Sequence, residues 1–181
     1  MTANWPRTTE DRAGHTETTL APAFRDLMST FFTGVTIITS LDAQGDCHGM
    51  TCTALTSVTV DPPTLLVCLN SASGTLKAIL ESNCFAVNIL HHNASHIAQF
   101  FGTAQPRRSA PSRQQLSPQL GQPWLNDDSL AMAECTVTTT QTVGTHTVVF
   151  GEVVGVHLGD HTPLVYGHRR YHRIIPETIG T

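Results

Sequence analysis

The chain has 181 residues, a length that suits one domain, and 40% of them are hydrophobic, which is enough to build a core. Only 13% are charged, the formal net charge is −4 and no basic stripe is present, so the composition argues against nucleic-acid binding. No apolar stretch reaches the length of a transmembrane helix, and the N-terminus lacks the apolar segment of a secretory signal, so neither feature is predicted.

The beginning of the chain predicts a tail followed by one helix. Residues 1–20 are polar and rich in Thr, and we expect a flexible tail outside a domain that spans residues 21–181. Pro22 suits the first position of a helix that is predicted to run to Phe32. Its apolar residues recur at helical spacing and form one face, which we expect to pack in the core: Phe24, Leu27, Met28 and Phe31.

Strands and a helix start are predicted between Val35 and Leu80. Val35–Ser40 is β-branched at almost every position, and the stretches HGMTCTALTSVTV and TLLVCL also predict strands, separated by the Asp61-Pro62-Pro63 turn. The second of these stretches enters a polar loop, Asn70–Thr75, that opens a helix. Such a loop makes an anion pocket, because free backbone N–H groups point outward and the helix dipole favours negative charge. The alternative is a capped helix with no ligand.

The second half of the chain predicts mostly strands. Cys84–Leu90 is an apolar strand, a helix follows from Ala94 to Phe101, and a long loop rich in Pro, Gln and Ser covers residues 103–129. From Leu130 onward the pattern is β, so we predict a mainly β fold: a small barrel of Greek-key character with a few helices. Neither a Gly-x-Gly-x-x-Gly nor a Gly-x-Ser-x-Gly motif is present, which argues against a Rossmann domain and a hydrolase elbow.

Cysteines and histidines give little support for a metal site. The five cysteines form no Cys-x-x-Cys pair, and three of them lie in apolar strand patterns, which predicts reduced thiols and a cytoplasmic protein. His91, His92 and His96 cluster at the start of a helix, but no carboxylate or Cys accompanies them. We therefore interpret these histidines as solvated and predict no metal.

Five motifs, in order and at the right spacing, resemble the short-chain flavin reductases. These are reductase components of two-component flavin-dependent monooxygenases, such as the one that acts on 4-hydroxyphenylacetate. The motifs are FRDLMSTFFTGVTIITS, HGMTCTALTSVTVDPPTLLVCLN, FAVNIL, VGTHTVVFGEV and PLVYGHRRYHRI. The similarity covers about residues 22–175 and fades in the loop 103–129. It implies an FMN-binding split β-barrel, a homodimer, and NAD(P)H as the electron donor.

The resemblance also implies where cofactors bind. The segment that matches the one lining the flavin ring is Thr51, Cys52, Thr53 and Ala54, and the segment that matches the phosphate loop contains Asn70, Ser71, Ser73 and Thr75. Phe101 matches an aromatic position near the flavin, with a core role as the alternative. Tyr171 and Arg173 match a C-terminal pattern; Tyr171 is expected near the nicotinamide, and Arg173 is expected to pair with a carboxylate or cofactor phosphate. A plain edge-strand role is their alternative.

His146 is the one catalytic residue predicted. It matches the His of a Gly-Thr-His-Thr turn that lies beside the flavin and nicotinamide, and we expect it to orient the nicotinamide; a surface His is the alternative.

The resemblance implies an NAD(P)H:flavin oxidoreductase that reduces FAD or FMN, with NADH expected over NADPH. Reduced flavin would go to a separate flavin-dependent monooxygenase. The alternative is a non-enzymatic flavin-binding module, a sensor or electron relay on the same barrel. His146 and Tyr171 beside an open face favour the enzyme. No membrane or nucleic-acid partner is predicted, and the sequence leaves the partner's substrate, the choice between FAD and FMN, and the role of the loop 103–129 open.

Overall fold

Strands dominate the computed structural model, which describes residues 20–103 and 115–175. The helices of this part of the chain are α1 (Leu20–Ser29), α2 (Gly74–Ser82) and α3 (Ser95–Phe101). The strands are β1 (Thr33–Gly34), β2 (Thr36–Leu41), β3 (Cys47–Cys52), β4 (Leu55–Val60), β5 (Pro63–Asn70), β6 (Cys84–Leu90), β7 (Gln115–Leu116), β8 (Pro123–Trp124), β9 (Ser129–Val143), β10 (His146–Leu158), β11 (Leu164–Gly167) and β12 (Arg170–Arg173). The predicted mainly β fold with a few helices is confirmed.

A seven-stranded antiparallel sheet curls into a barrel. Its strand order is β3-β2-β6-β9-β10-β5-β4, so β3 and β4 are its two edges. Yet these edges follow one another in the chain, with only Thr53 and Ala54 between them. Because two residues span only about 7 Å, the sheet has to bend round until its edges approach each other. The amide of Cys68 donates to the Ala54 carbonyl at 3.0 Å, which fixes this corner against β5.

The barrel interior is filled by apolar side chains from opposite strands. Ile38, Val67, Phe85 and Val149 are fully buried there, and α2 adds Leu76 and Ile79 at one end. The ring of Phe85 occupies the space above Gly151, where an added Cβ would lie 2.5 Å from Cζ. The core is therefore closely packed and leaves no room for a ligand between these residues.

A second apolar cluster joins the outer face of the barrel to α3 and to a small sheet. The small sheet has the order β1-β11-β12. Val35, Leu90, Ile97, Leu125 and Leu164 are buried in this cluster. The cluster places α3 and the β11–β12 hairpin close to β3, which is the edge strand of the main sheet.

The position of helix α1 differs from the one predicted from the sequence. We expected its apolar face to pack in the core, but none of residues 20–29 is buried, and Phe24, Leu27 and Phe31 are 58%, 64% and 64% exposed. Strands already fill the barrel, so the helix lies outside it. Arg169 forms a 2.5 Å ion pair with Asp26 and attaches α1 to the small sheet. The helix also begins at Leu20, two residues before Pro22.

The part of the predicted loop 103–129 that the structure describes is ordered around a buried carboxylate. Glu134 of β9 is fully buried and accepts hydrogen bonds from the Ser117 hydroxyl at 2.5 Å and the Leu120 amide at 2.6 Å. β7 and β8 pair within this segment. Residues 104–114 lie outside the described residues, as do residues 1–19 of the predicted tail. In the described ranges, no helix has the length and apolar character needed to cross a bilayer.

Candidate functional site

Three chain segments that the sequence singled out meet at the carboxyl end of β5. The first is the Thr53–Ala54 corner, which is exposed and hydrogen-bonded to Cys68. The second is the loop from Asn70 to Gly74, and the third is the turn before β10. His146 pairs in register with Asn70, and the Ser71 amide donates to the Thr145 carbonyl at 3.0 Å. Residues far apart in sequence are thus brought to one end of the barrel.

The predicted phosphate loop has the geometry of a capped helix start. Ser73 is the N-cap of α2, and its Oγ accepts from the Leu76 amide at 3.1 Å. The Asn70 side chain accepts from the Ala72 amide at 2.8 Å, and the Ser71 hydroxyl lies 3.0 Å from that of Thr147. Thr75 is buried in the first turn.

The same helix start favours an anion. The first-turn N–H groups of a helix have no acceptor within the helix, and their dipoles add. The first turn of α2 carries no acidic residue that would compete. The Ser73 hydroxyl is already an acceptor, so its proton is free to be donated outward. These donors fit a phosphate group.

The two residues of β3 that were predicted to line a flavin ring, Thr51 and Cys52, turn their side chains toward the protein. The Thr51 hydroxyl donates to the Ala98 carbonyl of α3 at 2.7 Å, so it is used within the protein. Cys52 points into the core, where burial raises the pKa of its thiol. Of the four residues predicted to line a flavin ring, Thr53 and Ala54 are the exposed ones. Small side chains and accessible backbone at this corner suit a flat ligand.

A cavity of about 500 Å³ opens directly beside this corner. Thr53 and Ala54 form part of one wall, and Tyr166 of the small sheet lines another. Phe24 and Met28 of α1 also line it, and Arg169 contributes a cation. The cavity is mostly apolar with two cationic residues, Arg25 and Arg169, in its wall, a composition that suits an aromatic ring system with a polar substituent.

Three predicted site residues lie on the side of the small sheet. Phe101 packs on β3: a Cβ at Gly49 would lie 2.6 Å from its ring. Tyr171 packs beside Tyr166, with ring centroids 5.3 Å apart, and burial raises the pKa of its phenol. Phe101 and Tyr171 border the second apolar cluster, so both have structural contacts. Arg173 is exposed and donates to Asn93 at 2.8 Å.

His146 lies on the surface at the start of β10, opposite the end of β5. It is exposed, and its Nδ1 is 3.1 Å from the Thr145 hydroxyl. Its place opposite Asn70 puts it next to the loop rather than in the core. The imidazole is thus accessible beside this loop, although His146 is not one of the residues that line the cavity.

His48 is a residue near the site that the sequence did not indicate. Its Nε2 lies 2.8 Å from Oδ2 of Asp42, and the two side chains are 20% and 8% exposed. A Cβ at Gly74 would lie 3.1 Å from His48 Nδ1, so the imidazole faces the start of α2. The hydrogen bond from His48 lowers the pKa of the Asp42 carboxyl. Only the register of the β2–β3 hairpin brings this pair together.

The histidine cluster near α3 has ordinary partners. His91 Nε2 lies 3.0 Å from the Asp127 carbonyl, and His92 Nδ1 lies 3.0 Å from the Thr162 hydroxyl. Across residues 20–103 and 115–175, no three His, Cys, Asp or Glu side chains are arranged to hold a metal ion.

Comparison with known proteins gives consistent matches. The family model described as "Flavin reductase like domain" matches residues 28–174. A flavin reductase (NADPH) from Lentzea aerocolonigenes is 49% identical over 153 residues, which is 84% of this chain and 89% of that protein. The 4-hydroxyphenylacetate 3-monooxygenase reductase component of Escherichia coli is 36% identical over 85% of this chain and 92% of its own length.

Solved structures agree in fold. Nitrilotriacetate monooxygenase component B from Mycobacterium thermoresistibile superimposes with a TM-score of 0.83 at 36% sequence identity. The match covers 92% of this chain and 93% of that one. The barrel with its flanking helices is therefore also the fold of this monooxygenase component.

Proposed function

The chain belongs to the flavin reductase-like family, and on that premise we propose that it uses NADH or NADPH to reduce FAD or FMN and supplies the reduced flavin to a separate monooxygenase. The observation that carries this proposal is the meeting of an anion-binding helix start, an exposed backbone corner and an accessible imidazole at one end of the barrel. Two of its relatives are themselves reductases, one of them a monooxygenase component.

The residues at this site fit a flavin. The start of α2, with Ser71, Ser73 and Thr75, would hold the flavin phosphate through hydroxyl and backbone donors. The Thr53–Ala54 corner would receive the ring, because its small side chains allow close approach of backbone amides. Thr51 and Cys52 contribute backbone only, since their side chains bond elsewhere.

A bound flavin would supply the hydride chemistry, and the protein would bind the flavin and the nicotinamide, orient them and shield them from solvent. Backbone donors at the corner would stabilise negative charge on a bound flavin ring. We place the nicotinamide between the mostly apolar cavity beside Tyr166 and the loop from Asn70 to Gly74. On the side of the loop, His146 would fix its orientation with one hydrogen bond, which matters because transfer needs reacting atoms roughly 3–3.5 Å apart.

Turnover with free flavin tests the activity directly. NADH and NADPH oxidation should be followed with FAD, FMN and riboflavin, each flavin in excess over protein. We expect oxidation that depends on added flavin, with NADH preferred. A protein that binds flavin but oxidises neither nicotinamide would instead be the non-enzymatic module. Addition of a flavin-dependent monooxygenase and its substrate then shows whether the reduced flavin is transferred.

We also propose a homodimer that covers the apolar face of α1. This face exposes Leu27 together with Phe24, Met28 and, just beyond the helix, Phe31, the last three of which also line the cavity, and an exposed apolar patch of this kind marks an interaction surface. Light scattering should give twice the chain mass of 19.6 kDa. Leu27→Asp should yield monomer, whereas Leu80→Asp, on the outer face of α2, should leave the dimer intact. A dimer that survives Leu27→Asp would place the interface elsewhere.

A cytoplasmic location is proposed on the cysteines. All five lie in the described ranges and are free, and burial raises the pKa of Cys135 to about 12. Unpaired buried thiols are typical of proteins from reducing compartments. Fractionation of the producing cells would test this.

A further inference from the structure

The pair formed by His48 and Asp42 faces the helix start at which we place the flavin phosphate. Asp42 accepts from His48 through Oδ2, while its Oδ1 accepts from the amides of Gln44 and Asp46 at 3.0 and 2.9 Å. The carboxylate is thereby fixed in the β2–β3 turn. It holds the imidazole in one orientation, with the Nδ1–Cε1 edge directed at Gly74, where a Cβ would lie 3.1 and 3.6 Å from those atoms.

The protonation of the imidazole decides what it offers to an anion. An ionised Asp42 accepts a hydrogen bond from Nε2–H, so a neutral His48 carries its hydrogen on Nε2 and presents a lone pair on Nδ1. A protonated ring presents an N–H donor and a positive charge on Nδ1. The lone pair repels a phosphate oxygen and the N–H attracts it. Gly74 has no side chain to separate the ring from the first turn of α2.

We propose that His48, oriented by Asp42, is a further phosphate-binding residue, and that it makes the affinity for phosphate-bearing flavins fall as pH rises. This inference rests on the proposed phosphate-binding role of the loop from Asn70 to Thr75. It adds to that role a titratable donor on β3, contributed from outside the loop itself. Flavin release would accordingly become easier on the alkaline side of neutrality.

Other charged groups near the imidazole are few. Asp42 and Asp46 lie in the turn before β3, and Cys47 precedes His48 on the strand. Burial raises the pKa of the Cys47 thiol to about 11, so this thiol stays neutral below pH 9. From α2, Lys77 is exposed and lies 3.7 Å from Glu81, an exposed pair with little influence. His146 lies beside the same loop, so its contribution has to be separated experimentally.

The test compares FAD with riboflavin from pH 5.5 to 8.5 at constant ionic strength, using the full-length protein. The FAD pyrophosphate keeps its charge over this range, whereas riboflavin has no phosphate. The wild type should bind FAD about tenfold more weakly at pH 8 than at pH 6, while riboflavin affinity changes less than about twofold. A pH dependence that arises from His146 would persist in His48→Gln, so that variant distinguishes the two histidines.

His48→Gln should bind FAD weakly at pH 6, about tenfold below wild type, with a flat pH profile. Asp42→Asn keeps an acceptor for the turn amides but removes the charge, so the FAD profile should shift to lower pH. His96→Gln, which removes an exposed imidazole from α3, is the matched control and should behave as wild type. In the wild type, the midpoint of the NMR titration of His48 should move to higher pH on addition of FAD. This measurement does not depend on the folding of a variant.

The outcomes separate the two levels of the argument. An unchanged pH profile in His48→Gln, or a His48 titration unaffected by FAD, overturns the role of His48 while leaving the phosphate loop in place. Equal affinity for FAD and riboflavin at every pH overturns the phosphate loop and this inference together. Flavin-dependent nicotinamide oxidation, measured in parallel at pH 7.5, reports on the proposed activity independently of both.

Discussion

Replacing Ser73 by Asp or by Asn separates helix capping from phosphate binding. Ser73 accepts from the Leu76 amide at the start of α2, and Asp and Asn cap about as well as Ser, so both variants should keep the stability of the helix. Ala would be less informative, since it would also remove a cap worth about 1 kcal/mol. Asp adds a negative charge beside the proposed phosphate. At a separation of about 5 Å and an effective dielectric of about 20, the repulsion is about 3 kcal/mol.

That repulsion corresponds to a roughly 100-fold loss of FAD affinity for Ser73→Asp. Ser73→Asn should stay within about fivefold of wild type, because its amide retains a donor. Calorimetric titration with FAD and with riboflavin measures this, at about 0.05 M and 1 M salt, and the loss for FAD should shrink at high salt. Equal weakening of FAD and riboflavin by Asp would show that no phosphate is bound at this loop. Thermal melts of both variants control for the helix.

Further substitutions test the mechanism, the core and the acid stability. His146→Ala should slow the reduction of bound flavin by NADH about tenfold in stopped flow, while the affinity for flavin persists. His146→Asn should slow this reduction less. If neither variant slows it, His146 is not at the site. Gly151→Ala should cost about 1–3 kcal/mol in denaturant unfolding because its Cβ would meet the Phe85 ring at 2.5 Å, whereas Gly34→Ala, with open space around it, should be close to neutral. The hydrogen bond from His48 lowers the pKa of Asp42 below its ordinary 3.8, so this stabilisation is present above pH 3.8 and lost as pH falls through the lowered value. The difference in Tm between wild type and Asp42→Asn should therefore close below about pH 4; a constant difference down to pH 2 would contradict it.

Local signals in the sequence were sufficient for most of the strands and for α2. The stretch HGMTCTALTSVTV, predicted as one strand, is instead two strands, β3 and β4, at opposite edges of the sheet, because the chain turns at Thr53–Ala54. The run Val35–Ser40 is β-branched and became the buried strand β2, because such residues fill a barrel interior well. Ser73 before an apolar helical pattern is a cap signal, and the structure has it as the N-cap. Both depend only on neighbours within a few residues.

Features that depend on long-range contacts could not be predicted from the sequence, for physical reasons. Apolar periodicity shows that α1 has an apolar face but not what covers that face, and here the barrel is already filled without it. The Thr51 side chain was expected near a ligand, but its position opposite α3 turns its hydroxyl to the Ala98 carbonyl. The pairing of His48 with Asp42 depends on hairpin register, which a residue pattern does not specify.

The proposed site lies where the described part of the barrel is not fully paired. In the described ranges β3 pairs with β2 alone and β4 with β5 alone, so the edges facing each other across the Thr53–Ala54 corner lack a complete ladder. A fully closed barrel would use its backbone donors within the sheet and offer none to a ligand. The gap between the edge strands β3 and β4 leaves backbone accessible at the Thr53–Ala54 corner, which only small residues occupy. The start of α2 lies at the same end of the barrel. This pair of features would suit a flat ring with a phosphate arm, and the hydride transfer proposed above would need no acid, base or nucleophile at the corner itself.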